Sequence, residues 1–230
     1  MSDDVLRVVN RSNQRGGRML SVVDLITAGT FTLELAAWLV ERIEQGSSWL
    51  VGANPGGAGK TAVMGALLVM LPRGEAVRIT SGGSGWQSAG AGECVVTYEI
   101  SPAFYEAYIW GEECRRFARL GLNGTRIVAN LHADTDGEAR SQLLRDNGLT
   151  EQEADAFDLF VPIRMERSLS GVKRVVEQVH LFGGENGEVV GRSPGLSGRA
   201  QEIAQFLEKC RDRKILRIEE LRREWLDSQR

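Results

Sequence analysis

Residues 48–61 read Ser48-Trp49-Leu50-Val51-Gly52-Ala53-Asn54-Pro55-Gly56-Gly57-Ala58-Gly59-Lys60-Thr61, and Ala62-Val63-Met64-Gly65-Ala66-Leu67-Leu68-Val69-Met70 follow. Trp49, Leu50 and Val51 make the short apolar run of a buried strand. Pro55, Gly56, Gly57 and Gly59 let the backbone curl so that successive N–H groups point at one spot. Lys60 and Thr61 then open a helix that carries Val63, Leu67, Leu68 and Leu71. Strand, glycine loop and helix in this order hold a phosphate chain. Amides and a helix N-terminus face the anion, the Lys60 ammonium reaches the terminal phosphates, and the Thr61 hydroxyl binds Mg²⁺. The loop residues expected to contact the phosphates are therefore Asn54, Pro55, Gly56, Gly57, Ala58, Gly59, Lys60 and Thr61. The strict form, G-x-x-x-x-G-K-[ST], has glycine where this chain has Asn54, a residue that tolerates left-handed backbone better than most. The alternative, a glycine-rich turn that happens to contain Lys-Thr, does not account for the agreement of strand, loop and helix.

The 230 residues, 42% hydrophobic and 26% charged, fit a soluble globular protein of one large domain with or without an appendage. A net charge of −3 gives no general attraction to nucleic acid, and none is expected as a partner. Cys94, Cys114 and Cys210 are odd in number and lack metal-ligand spacing, so they read as reduced thiols in a cytoplasmic protein. The acidic start has no apolar segment behind it and predicts no signal peptide. The longest apolar run, residues 62–71, is short of the ~20 residues that cross a bilayer.

Upstream of the loop, residues 1–20 are polar and carry Arg7, Arg11, Arg15 and Arg18, which predicts a flexible arm. One of these arginines could alternatively reach a phosphate on a neighbouring subunit. Ser21 and Asp24 make a capping box for a short helix, and Thr32 caps a second one that Gly46 ends.

Downstream, residues 76–80, 94–100 and 125–131 are strand-like, with helices between them. Glycines at 82, 83, 85, 90 and 92 predict a mobile loop over residues 81–92. Pro102 suits a helix start, and the aromatic residues 103–110 are expected in the core. Thr150 and Glu153 form another capping box. Residues 160–165 and 174–182 predict two antiparallel strands at the sheet edge. Two amphipathic helices end the chain. The expected division is an arm (1–20), a nucleotide-binding α/β domain (21–192) and a C-terminal helical pair (193–230). In an α/β sheet, ligands sit at the carboxyl ends of the strands.

Hydrolysis needs Mg²⁺, a carboxylate to orient water and a polar group at the terminal phosphate. Glu112 follows the apolar run Tyr108-Ile109-Trp110-Gly111 and could stand at a strand end beside the loop; otherwise it is a helix-start glutamate favoured by the helix dipole. His132 follows an apolar strand; otherwise it is an ordinary core or surface histidine. Glu99 is a further acidic candidate, read here as a cross-strand or surface residue, and His180 is read as structural. Arg164, Arg167, Lys173 and Arg174 read as a solvated face of a hairpin.

On these residues the chain resembles the motor ATPases of the type II/IV secretion and pilus-assembly superfamily, most of all the tight-adherence and archaeal branch. Lys60-Thr61 fall on its Walker A pair and Gly111-Glu112 on the Gly-Glu of its Walker B box. Gly124 and His132-Ala133 fall on its histidine box, and Gly171-Val172-Lys173-Arg174 opens its late hairpin. The resemblance implies a RecA-like P-loop NTPase sheet with flanking helices, an antiparallel edge hairpin and a C-terminal helical appendage. It implies ATP and Mg²⁺ as ligands, Glu112 and His132 as catalytic residues, a hexamer, and a membrane-embedded secretion or pilus platform as partner. The family's N-terminal domain has no counterpart in these residues. Its aspartate box has none either at Ile79-Thr80-Ser81-Gly82-Gly83, unless Glu99 supplies the acid. Hydrolysis is accordingly expected to be slow. Two other readings stay open: a nucleotide-binding scaffold or regulatory subunit, and a P-loop kinase for a small molecule with residues 81–92 as its lid.

Overall fold

Trp49, Leu50, Val51 and Gly52 offer no polar side to water. In the computed structural model they form β1 (Trp49–Gly52), wholly buried inside a mostly parallel sheet. The structure describes residues 4–13, 16–54, 56–168, 171–182 and 187–229. Pro55 of the expected phosphate loop, Arg15 of the expected arm and parts of the turns near 168–171 and 183–187 lie outside the described residues.

β1 is flanked on one side by β5 (Arg126–Leu131) and on the other by β6 (Leu159–Pro162), both parallel to it. β3 (Glu93–Ile100) lies beyond β5, and β2 (Ala76–Ile79) and the two-residue β4 (Tyr108–Ile109) pair with β3, again in parallel. The opposite edge is antiparallel: β9 (Gln178–Leu181) pairs with β6, and β10 (Val189–Gly191) with β9. β7 (Arg164–Ser168) and β8 (Gly171–Val175) form a hairpin sheet of their own. The two long strands expected over 160–165 and 174–182 are thus each broken. Pro162 has no N–H to extend the ladder, and Ile163 instead donates to the Gly52 carbonyl at 2.8 Å. β6 thereby joins the parallel core, and the antiparallel edge is β9–β10.

Helices cover both faces, as the α/β class requires. One face carries α1 (Asp4–Ser12), α2 (Val22–Thr27), α3 (Leu33–Glu44), α4 (Lys60–Leu68), α8 (Gly198–Asp212) and α9 (Ile218–Ser228). The other carries α5 (Glu112–Leu122), α6 (Asp136–Ser141), which Gln142–Asp146 extends as a π-turn, and α7 (Glu151–Asp155). The capping boxes at Ser21/Asp24 and Thr150/Glu153 and the Thr32 cap form as their residue types predict.

Three expectations are corrected. The arm is helical over α1, because Val5, Val8 and Val9 share one face and bury it; Gly65 in α4 lets Val9 and Met19 approach where a Cβ would collide. Residues 81–92 are not simply a mobile loop, since Trp86 and Ala89 are buried and the Trp86 ring meets Phe117 edge-on at 6.4 Å. The aromatic stretch after Pro102 forms no helix, and Phe104 and Tyr105 stand in solvent. At the far end, α9 closes on α4. Arg222, itself buried, donates to the Val69 and Leu71 carbonyls, and the Trp225 indole donates to Met70 at 2.8 Å.

Candidate functional site

The chain leaves β1 and turns back through residues 53–59. The Ala53 amide still bonds the Leu131 carbonyl at 3.4 Å, and the Asn54 amide donates to Asp134 Oδ1 at 2.7 Å. Asn54 is not left-handed here. The positive φ values fall on Gly57 (+93°) and Gly59 (+103°), where glycine bears them at no steric cost. Gly59 is the N-cap of α4, and no side chain caps that helix, whereas Ser21, Thr32, Thr135, Thr150 and Ser197 cap theirs. The first-turn amides of α4 instead open on a cavity of about 970 Å³ lined by Gly56, Gly57, Ala58, Gly59, Lys60 and Thr61. An uncapped helix N-terminus that opens on a cavity is able to receive an anion.

Lys60 is the first residue of α4 and only 7% exposed. Its Nζ lies 3.3 Å from the Ala53 carbonyl, 3.3 Å from His132 Nδ1 and 3.4 Å from Glu99 Oε1. The same Glu99 oxygen is 3.8 Å from His132 Nε2. Lys60 opens α4 beyond the loop that leaves β1, His132 directly follows β5, and Glu99 is the last residue but one of β3; the three strands lie side by side in the order β1, β5, β3. Burial holds the Glu99 carboxyl above its usual range, although the Lys60 charge pulls it back. Burial and the Lys60 charge hold the His132 ring below its ordinary value. A neutral ring can accept from the Lys60 ammonium at Nδ1, which leaves its proton on Nε2, facing Glu99.

Glu99, read from the sequence as a cross-strand or surface residue, is buried beside Lys60. β3 gains one residue against β5 between Thr97 and Ile100, so strict alternation breaks just where Glu99 stands. The Asn130 amide donates to the Tyr98 carbonyl at 2.8 Å and fixes β5 against β3 beside that bulge. The available signal was an acid near the end of an apolar run, the same signal that favoured Glu112.

Glu112 does not line the cavity. Gly111 turns the chain with φ +58° into α5, and Glu112 is the helix's first residue. Its carboxylate is exposed and paired with Arg115 at 2.7 Å and Arg116 at 3.3 Å, which hold it below the usual range. Of the arginines expected on the arm, Arg18 reaches the cavity wall but is bound to Asp24 at 2.6 and 2.8 Å, while Arg11 pairs with Glu106 and Arg7 with Asp4. His180 packs beside Phe160 away from the cavity, as its structural reading requires. Lys173 and Arg174 are not a solvated face alone, since both line the cavity. Among the described residues no group of three His, Cys, Asp or Glu side chains could hold a metal by itself, and no helix is long and apolar enough to cross a membrane.

No protein-family model and no curated protein matches the chain. Among solved structures, the VirB11 ATPase of the Brucella suis type IV secretion system, in complex with sulphate, aligns with a TM-score of 0.42 and 16% identity over 68% of this chain and 53% of its own. The Legionella pneumophila ATPase DotB aligns with a TM-score of 0.43 and 15% identity over 76% of this chain and 55% of its own. The chain therefore spans about half the length of each of these ATPases.

Proposed function

We propose that the protein binds ATP with Mg²⁺ at residues 54–61 and hydrolyses it, as a RecA-like P-loop ATPase of the kind that drives secretion or pilus assembly. The observation that carries the reading is the convergence of Lys60, Glu99 and His132 within 3.3–3.8 Å beside the uncapped N-terminus of α4. The loop amides and Lys60 hold the phosphate chain. Glu99, rather than Glu112, orients the attacking water and takes its proton, and a carboxyl kept above its usual range by burial suits that task. His132 contacts the terminal phosphate through the Nε2 proton. The residues fit Mg²⁺, which takes few protein ligands when phosphates supply the rest: Thr61 and Glu99 line the same cavity. When bound, the metal neutralises charge on the transferring phosphoryl group. A ring of subunits and a membrane-embedded platform as partner rest on the family resemblance. The kinase reading loses its lid, since residues 81–92 do not line the cavity.

ATP binding and phosphate release test this directly. Lys60→Ala should abolish binding. Glu99→Gln should keep binding and lose about 10²–10⁴-fold in turnover. Glu112→Gln should match the wild type. A wild type that binds no ATP overturns the reading, and one that binds but releases no more phosphate than Glu99→Gln is a nucleotide-dependent scaffold.

A further inference from the structure

The β7–β8 hairpin is not part of the central sheet. It is fixed at its root: Val175 and Val176 are buried, the Val176 amide donates to the Thr30 carbonyl at 2.9 Å, and Arg192 donates to the Val176 carbonyl at 3.3 Å. Beyond that root Gly171, Val172, Lys173 and Arg174 are exposed and project over the cavity. Arg174 lies on the phosphate loop itself. Its Nη2 donates to the Gly57 carbonyl at 3.3 Å, and its Cδ is 3.2 Å from where a Cβ on Gly59 would stand. A guanidinium has five N–H donors and matches phosphate oxygens in pairs, so one long bond to a neutral carbonyl leaves most of that capacity unused. Among the described residues no carboxylate pairs with Arg174, whereas Arg18, Arg115, Arg140 and Arg199 each hold one.

The charge balance of the cavity asks for this second cation. The Lys60 ammonium already faces the Glu99 carboxylate, so that pair is close to neutral. A triphosphate with one Mg²⁺ still carries net negative charge, and that charge shifts toward the leaving oxygen during transfer. We propose that Arg174 is an arginine finger supplied by the same chain: its guanidinium leaves the Gly57 carbonyl and grips the terminal phosphate of bound ATP. In the step it serves, the water oxygen bonds the γ-phosphorus while the bond to the β,γ-bridging oxygen breaks. ADP leaves with that electron pair, the water proton passes to Glu99, and inorganic phosphate remains. Arg174 neutralises charge on the transferring group throughout. This assignment rests on the ATPase reading and adds to it the residue that discriminates ATP from ADP.

The test uses the full chain as Arg174→Ala and Arg174→Lys, with ADP binding and thermal melting measured beside turnover. Arg174→Ala should keep the wild-type melting curve and ADP affinity, lose its preference for ATP over ADP, fail to trap ADP–aluminium fluoride, and lose about 10³-fold or more in kcat. Arg174→Lys should recover part of that loss. Turnover and ATP preference equal to wild type in Arg174→Ala overturn the proposal while leaving the ATPase reading intact, because Lys60→Ala tests that reading separately. If the wild type binds ATP without hydrolysing it, the ATP preference and trapping decide alone. Mixing Arg174→Ala with Glu99→Gln protein separates the source of the finger. No recovery of activity supports supply from the same chain, and recovery overturns it, since a neighbour's arginine would then be completing intact sites.

Discussion

Lys60 and Glu99 show how two ordinary residues meet as a buried pair, with the exposed His132 beside them. An ion pair at 3.4 Å between side chains less than a tenth exposed is costly to desolvate and costly to break. Glu99 and the neighbouring His132 respond to pH in opposite senses. Glu99 titrates above its unfolded value, so the native state holds that proton over a window in which the unfolded state has lost it. Its contribution is therefore fully present below the ordinary carboxylate range and is lost as pH rises through the folded value. His132 titrates below its unfolded value, so its contribution is present above the ordinary histidine range and is lost as pH falls toward the folded value. Denaturant midpoints measured against pH should accordingly flatten in the acidic range for Glu99→Gln. The His132 ring resonances should titrate below about 6.5. A wild-type profile that Glu99→Gln leaves unchanged would mean that the carboxyl is not held as described. At this scale the strand, glycine turn and helix of residues 49–68 were legible because they are consecutive in sequence. The place of Glu99 beside Lys60 was not, because a bulge set its direction, and the place of Glu112 away from the cavity was not, because a strand of only two residues and a left-handed Gly111 lie before α5.

Elements were legible wherever a local rule suffices. Ser21, Thr32 and Thr150 cap helices because their oxygens meet the amides three residues on, and no tertiary information is needed to foresee it. The strand breaks at Ile163 and at Val176–Glu177 were not legible, because only the partner strands decide where pairing stops. β1 carries the tightest constraint. A Cβ on Gly52 would stand 2.4 Å from the Ala133 carbonyl oxygen and 2.4 Å from the Phe160 ring. A backbone carbonyl cannot swing aside as a side chain can, so the ring and the segment that follows β5 would both have to shift. Gly52→Ala should lower stability by about 3 kcal/mol or more, seen as a lower denaturant midpoint with an unchanged slope. A midpoint equal to wild type would show that the ring and this segment yield readily.

The molecule as a whole is an α/β sheet whose parallel core was foreseen and whose N-terminal helix was not. A polar, arginine-dotted composition hid the one apolar stripe of α1, since the stripe gains meaning only against Gly65 of α4 and the edge of β2. Removing residues 1–13 exposes the surface under Val5, Val8 and Val9, each worth about 1.5–3 kcal/mol when buried. The truncated protein should unfold at clearly lower denaturant than the full chain and should still bind nucleotide where it is folded. Stability equal to the full chain would return α1 to the status of an arm. α4 ties this architecture together from end to end. Its first residues line the cavity, and the carbonyls just past its last turn are held by Arg222 and Trp225, which lie 153 and 155 residues further along the chain. Nine residues of helix make a span of roughly 14 Å. In mechanical terms α4 is a strut anchored at its far end, and a strut so held passes displacement along its axis instead of absorbing it. The C-terminal helices, remote in sequence from the loop, are thus one short rod away from whatever it grips.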